Sequence, residues 1–211
     1  MRKILTCLSI AVLLSKIAST QERYDFRHYE VENGLSNNNV LCILQDKKGF
    51  MWFGTRDGLN RFDGYTFKVF REDPSNPKSL GNDHINCMLQ DENEMIWVGT
   101  QNGIYKYNPV DESFQHITAT AEKSVRTIYK DSHGVLWLAL NDTLTIYDPI
   151  TSSLRQYTQF ASTSVSSDQY GNLWVATKNG YLKKFNRADQ SFTSFDLFSK
   201  SPRPNSRLIE K

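Results

Sequence analysis

An aspartate stands six residues ahead of a tryptophan four times in this chain: Asp46–Trp52, Asp91–Trp97, Asp131–Trp137 and Asp168–Trp174. All of its tryptophans are used in this way. Three of the aspartates have glycine at the third following position (Gly49, Gly134, Gly171), the arrangement of a type I turn that Asp caps and Gly relaxes. Each tryptophan then heads a short β-compatible stretch. Asp57-Gly58, Asn102-Gly103 and Asn179-Gly180 follow with the tolerance for positive φ that a tight hairpin needs. The tryptophans recur at spacings of 45, 40 and 37 residues. A period near 40 is that of a propeller blade, a unit that buries its apolar face only by stacking on its neighbours. The chain is therefore expected to be all-β, a β-propeller of four-stranded antiparallel blades.

About four blades are expected, over residues 40–71, 85–117, 125–157 and 162–197. In the first, Val40–Gln45, Met51–Thr55, Leu59–Phe62 and Phe67–Arg71 read as successive strands. Val40–Gln45 is almost wholly apolar, as expected of an inner strand covered on both faces. In the fourth, Ser162–Ser167 takes the inner position although it is polar, after Leu154–Tyr157 has closed the third blade. Glu94 replaces the turn glycine of the second unit, so that turn is expected to take another form. Gly54, Gly99, Ala139 and Ala176 are expected to leave room where blades approach face to face. The tryptophans are expected to fill the space between blades rather than to stack on a sugar.

Two segments bear on closure. Residues 24–30 contain Phe26-Arg27-His28-Tyr29, which matches the outer stretches Phe67-Lys68-Val69-Phe70 and Phe114-Gln115-His116-Ile117 but precedes any inner strand. In a closed ring it would complete the last blade. Residues 207–211 look like the opening of a fifth blade. Seven blades of about 40 residues need about 280 residues, against the 211 present. The expectation is an open arc, part of a seven-bladed propeller, whose first and last blades expose apolar faces and favour aggregation.

Residues 1–20 read as a signal peptide: Arg2 and Lys3, an apolar run from Ile4 to Leu14, then Ala18-Ser19-Thr20. A run of eleven residues is too short for a membrane span, which takes about 20. The product is expected outside the cytoplasm. The formal net charge is +2; residues 1–20 contribute +3 (Arg2, Lys3, Lys16), so the remainder carries −1 and nothing points to nucleic acid. Cys42 and Cys87 hold the same place in consecutive units, which suits matched core positions better than a disulfide, although an oxidising compartment leaves the latter open. His28, His84, His116 and His133 show no zinc-ligand spacing, and there is no nucleophile elbow or phosphate-binding loop. No catalytic residue, cofactor or metal is expected, though carboxylates that pair only in space stay open.

The unit Asp-x-x-Gly-x-x-Trp-x-Gly-Thr-x-x-Gly-Leu-x-Arg-Phe-Asp, in Asp46 to Asp63, resembles the two-component regulator propeller repeat. Gly34-Leu35-Ser36-Asn37-Asn38-Asn39-Val40 and Asp73-Pro74-Ser75-Asn76-Pro77-Lys78-Ser79-Leu80 are similar to the first blades of one subgroup. That subgroup is the periplasmic sensor region of hybrid two-component systems in polysaccharide-degrading Gram-negative bacteria. The resemblance covers residues 24–211. It implies a parent anchored in the inner membrane and dimeric, with two seven-bladed propellers, an immunoglobulin-like domain, a histidine kinase, a receiver and a DNA-binding module. It further implies that glycan-derived oligosaccharides are sensed and that polysaccharide-utilisation genes respond. Only propeller repeats stand in this chain. A secreted propeller enzyme acting on glycans (lyase or hydrolase) and a protein-interaction propeller are the competing readings.

Propellers bind ligands on the face made by the connectors entering each inner strand and by the hairpins between second and third strands. Here that face is expected to carry Arg56, Asp57, His84, Gln101, Asn102, Asn141, Lys178 and Asn179, flanked by Asn38, Asn82, Asp83 and Asp142. Their amides suit sugar hydroxyls, and Arg56 and Lys178 suit an acidic sugar. A plain turn role is the alternative for each.

Overall fold

The computed structural model describes residues 25–198. The expected leader and the stretch 207–211 lie outside the described residues. Fifteen strands run in chain order. The first blade is β1 (Val40–Gln45), β2 (Met51–Thr55), β3 (Gly58–Phe62) and β4 (Phe67–Phe70). The second is β5 (Ile85–Gln90), β6 (Ile96–Thr100), β7 (Gly103–Asn108) and β8 (Ser113–Ile117). The third opens with β9 (Val125–Lys130), β10 (Leu136–Leu140) and β11 (Thr143–Asp148). Then come β12 (Ser153–Ser167), β13 (Leu173–Thr177), β14 (Tyr181–Asn186) and β15 (Ser191–Asp196). All pairings are antiparallel between neighbours, and the inner strands β1, β5, β9 and the second half of β12 lie side by side along an open arc.

The third and fourth blades are fused. Leu154–Tyr157 and Ser162–Ser167, expected as separate strands, are the two ends of β12. Its first part pairs with β11 and its second with β13, which joins seven strands in one sheet. The register steps from Tyr157 opposite Leu144 to Ala161 opposite Thr143, so 158–160 bulge out of the β11 ladder. So short a connector keeps the backbone extended, whereas the longer connectors after β4 and β8 break the chain into separate sheets.

The six-residue offset has a direct physical cause. In every unit the Trp Nε1–H donates to the Asp Oδ2, at 2.8 Å for Trp52–Asp46, 2.9 Å for Trp97–Asp91 and Trp137–Asp131, and 3.0 Å for Trp174–Asp168. Each Asp Oδ1 accepts the backbone N–H groups two and four residues on. One carboxylate thus holds the turn and pins the indole. Buried donors need partners, and here the partner is charged. Glu94 corrects the expectation for its turn: the form is the same. Its N–H donates to Asp91 O at 3.2 Å, as Gly49 does to Asp46 O at 2.9 Å, and Glu94 takes φ +63° to allow it.

Three apolar cores lie between consecutive blades, each headed by a tryptophan of the preceding one. Trp52 packs with Ile85, Val98 and Tyr107; Trp97 with Val125, Leu138 and Tyr147; Trp137 with Val165, Val175 and Phe185. The glycines of the second strands are required by this approach. A Cβ at Gly54 would stand 2.4 Å from Cys42 Sγ and 2.6 Å from Ile85 Cγ2; at Gly99, 2.4 Å from Cys87 Sγ and 2.8 Å from Val125 Cγ1. Cys42 lies opposite Gly54 and Cys87 opposite Gly99, whereas Thr127 and Ser164 lie opposite Ala139 and Ala176. Cys42 and Cys87 are free, each partly buried and packed against an inter-blade core.

β1 is not covered on both faces, contrary to its apolar sequence. Its residues alternate half-buried and exposed, with Leu41 39% and Ile43 60% exposed, because only the face toward β5 meets a blade among the described residues. At the other end of the arc Phe195 and Leu197 are exposed. Residues 25–30 form no strand in the open arc, where the last blade of a closed ring, which they were expected to complete, is not among the described residues. Tyr29 rests its ring edge-on against Phe62 (4.9 Å) and Phe67 (5.7 Å), while Phe26 projects into solvent.

Candidate ligand-binding face

At the end of each blade where the second and third strands turn, the hairpin is tied by backbone hydrogen bonds to the connector that enters an inner strand. Gly58 N–H donates to Asp83 O (2.7 Å) and Gln101 N–H to His84 O (3.0 Å), so the first and second hairpins share one connector. Gly103 N–H to Lys123 O (2.8 Å) and Asn141 N–H to Ser124 O (2.9 Å) repeat the arrangement at the next boundary. Ser162 N–H to Asp142 O (2.7 Å) and Lys178 N–H to Ala161 O (3.1 Å) repeat it again. A belt of paired backbone groups therefore runs along this face and fixes its loops, although they are exposed.

The side chains add to the belt. Asn102 Oδ1 accepts Glu122 N–H (2.8 Å), Asn141 Oδ1 accepts Ser124 N–H (2.8 Å), and Gln101 Oε1 accepts Ser124 Oγ–H (3.1 Å). Asn179 Oδ1 accepts Thr177 Oγ1–H at 2.6 Å. Asp57 pairs with Arg71 at 2.8 Å, and Asp83 caps Glu72 N–H at 2.7 Å. Asn82 Oδ1 accepts His84 N–H (3.2 Å), and Asn38 Oδ1 accepts Val31 N–H (2.9 Å). Lys178 is not held ready for an acidic sugar: its Nζ lies 2.6 Å from Asp142 Oδ2, and Arg126 Nε lies 2.9 Å from Oδ1 of the same carboxylate. That three-residue ion cluster spans the third and fourth blades.

Two properties of the face follow. Among the described residues, Arg56 and His84 are the two of the eight whose side chains make no hydrogen bond or ion pair, and Arg56 is exposed. Gln101, Asn102, Asn141 and Asn179 use their side-chain oxygens in the scaffold, while their NH2 groups have no partner among the described residues. The loops thus combine turn duty with a row of spare donors and one spare guanidinium. Sequence reasoning placed these residues on one face; it missed Arg126, whose position on β9 carries no turn signal. Of the other histidines, His116 stacks on Tyr105 at 4.7 Å, and burial lowers its pKa. His28 pairs with Glu30 at the surface (3.0 Å). Among the described residues no three His, Cys, Asp or Glu side chains cluster to hold a metal ion. No described helix is long and apolar enough to cross a membrane.

Residues 34–57 and 79–102, which run from the entry connector into the second hairpin turn, match the model of the two-component regulator propeller. Histidine kinase P4 of Formosa agariphila is 36% identical over 77 residues, covering 36% of this chain and 6% of that protein. The extracellular domain of a protein described as a hybrid two-component system of B. thetaiotaomicron is 25% identical, with a TM-score of 0.51 over 82% of this chain and 32% of that one. Virginiamycin B lyase from Staphylococcus aureus shares the fold at 16% identity, with a TM-score of 0.61 over 78% of this chain and 58% of the lyase. The chain spans a small part of the kinase and about a third of the sensor domain.

Proposed function

We propose that this chain, which carries two-component regulator propeller repeats, serves as part of the extracytoplasmic ligand-sensing propeller of a two-component sensor. In this reading it recognises glycan-derived oligosaccharides outside the cytoplasm, and the parent protein passes the signal inward to control polysaccharide use. The chain itself is non-catalytic; phosphotransfer belongs to the parent, which acts as an inner-membrane dimer. One observation carries the reading. The hairpin face is fixed by backbone pairing and presents spare amide donors beside an exposed, unpaired Arg56. Spare donors on a rigid frame suit a polyhydroxylated ligand, because little ordering entropy is lost on binding.

A thermal-shift panel of neutral and acidic oligosaccharides tests it. One class of oligosaccharide is expected to raise the melting temperature by a few degrees, as ligands of the native state do. No shift with any member of the panel would count against a glycan-sensing role.

A further inference from the structure

The connector from β4 to β5 is held in one shape by its own bonds. Asn76 N–H donates to Asp73 O and Ser79 N–H to Asn76 O, both at 2.9 Å. Ser79 Oγ accepts from Asp73 N–H and donates to Asp73 O, both at 3.0 Å. Phe114 N–H donates to Lys78 O at 2.8 Å and pins the loop to β8, while Leu80 is fully buried in the first inter-blade core. The loop is thereby fixed across the outer strands of the second blade. Between loop and strands lies a cleft of about 190 Å3, and none of the candidate residues of the hairpin face lines it.

Its chemistry is that of a cation site. Glu72 and Asp73 line it, and no lysine or arginine does. Asp73 Oδ1 accepts the N–H and Oγ–H of Ser75 at 2.9 and 2.6 Å, whereas the Glu72 carboxylate makes no hydrogen bond or ion pair among the described residues. His116 also lines the cleft, and with its pKa lowered by burial it stays uncharged at neutral pH. Tyr105 is only 6% exposed, yet its hydroxyl has no hydrogen-bond partner among the described residues. A Cβ built on Gly81, in the cleft wall, would stand 2.5 Å from Tyr105 Oη, which places the hydroxyl at that wall. The oxygen is not one of the side-chain atoms that are both sealed from solvent and unpaired, so it opens to the cleft. Burial, and after it the Glu72 charge, raises the Tyr105 pKa, which makes hydroxyl and carboxylate neighbours. A hydroxyl without a partner costs stability, and beside a free carboxylate the partner that fits is a cationic donor.

We propose that this cleft binds a small alkylammonium ion. The ammonium donates to Tyr105 Oη and to the Glu72 carboxylate, and the alkyl chain lies along Phe114 and Pro77. The volume falls below the roughly 300–1,000 Å3 of pockets for drug-sized ligands, so the occupant is a small free amine rather than a lysine presented by a partner protein. The site does not depend on the sensing role proposed for the hairpin face.

The experiment titrates the full 15N-labelled chain with butylammonium chloride and compares butan-1-ol, tetramethylammonium and Nα-acetyl-lysine N-methylamide. The backbone amides of Gly81 and Phe114, both in the cleft wall, report occupancy. Butylammonium is expected to shift both, and butan-1-ol, similar in size but uncharged, to bind at least about tenfold more weakly. Tetramethylammonium, which has no hydrogen to donate, and the lysine derivative, which carries a backbone, are also expected to bind more weakly. Tyr105→Phe is expected to weaken butylammonium about tenfold, and Glu72→Gln, at an exposed position, about fivefold. Neither should lower the melting temperature, since neither group has a partner to lose. Binding of butan-1-ol, tetramethylammonium or the lysine derivative as tight as that of butylammonium would overturn the proposal. Full affinity in either variant, or unmoved Gly81 and Phe114 resonances, would do the same.

Discussion

Arg187, in the last hairpin of the fourth blade, donates from its Nη2 to Asp131 Oδ2 across 3.0 Å and so fastens that blade to the first turn of the third. The same oxygen accepts the Trp137 indole at 2.9 Å. Asp131 therefore holds its own turn, its own tryptophan and the next blade at once. Replacing it removes three kinds of contact and leaves a buried indole N–H unpaired. Asp131→Ala is expected to cost about 2–3 kcal/mol, the range for losing charged hydrogen bonds at a buried site. Arg187→Ala is expected to cost about 1 kcal/mol or less, since its guanidinium is partly in water. Chemical denaturation of the two variants measures the difference; equal losses would show that the inter-blade contact, not the indole, is what matters.

Acid should weaken the fold through two of the repeated aspartates, Asp131 and Asp168. Burial raises the Asp131 pKa, but hydrogen bonds from Trp137, Arg187 and the backbone of His133 and Val135 outweigh it, and the net shift is downward. Asp168 is lowered to about 2, first by Trp174 and then by Asn172. A carboxyl with a depressed native pKa lends stability above its unfolded pKa of about 3.9, and that stability is lost as pH falls through the native value. Melting temperature is therefore expected to be level from pH 7 to about 5 and to fall between about 4 and 2. A profile flat to pH 2 would mean that the Asp131 and Asp168 carboxylates contribute nothing when ionised.

The closest contact between blades lies at the second-strand glycines. Gly54→Ala and Gly99→Ala each place a methyl within 2.4 Å of a cysteine sulfur and under 3.0 Å from the neighbouring inner strand. Overpacking of this kind is expected to cost about 1–3 kcal/mol by urea unfolding. Cys87→Ala introduced with Gly99→Ala should recover part of the loss, as the smaller partner does opposite Ala176.

The cysteines themselves should be inert. Burial pushes the Cys42 thiol up to about 12, and burial raises Cys87 further. Thiolate is the reactive form, so neither should be alkylated at pH 8 in the native state. Peptide mapping after iodoacetamide treatment checks this; modification of Cys42 or Cys87 before unfolding would show that the first or the second inter-blade core, respectively, opens readily.

Much of this fold was legible because its determinants are local. The aspartate-to-tryptophan offset reads as a turn followed by a strand, and the hydrogen bond that enforces it lies within seven residues of chain. The Glu94 turn was misread because sequence names the residue but not the carboxylate of Asp91, which holds the backbone in place whatever stands at the glycine position. The β12 fusion escaped because a polar inner strand and a short connector look like a break. At the hairpin face a local pattern indicates which residues sit in turns but not what their side chains bond to. Whether Lys178 is spare depends on Asp142, 36 residues away on another blade. Pairing across blades is set by tertiary approach, and no local pattern reports it.

The proposed recognition of an oligosaccharide by the hairpin face runs through Arg56 and the spare amides beside it. Calorimetric titration of the chain and of Arg56→Ala with the oligosaccharide that most raises the melting temperature tests it most directly. Arg56 is exposed and its side chain makes no hydrogen bond or ion pair among the described residues, so its removal should leave the melting temperature unchanged. An acidic oligosaccharide is expected to bind Arg56→Ala about tenfold or more weakly, the worth of one charge-assisted pair. Unchanged affinity in Arg56→Ala would contradict it and move recognition away from this face.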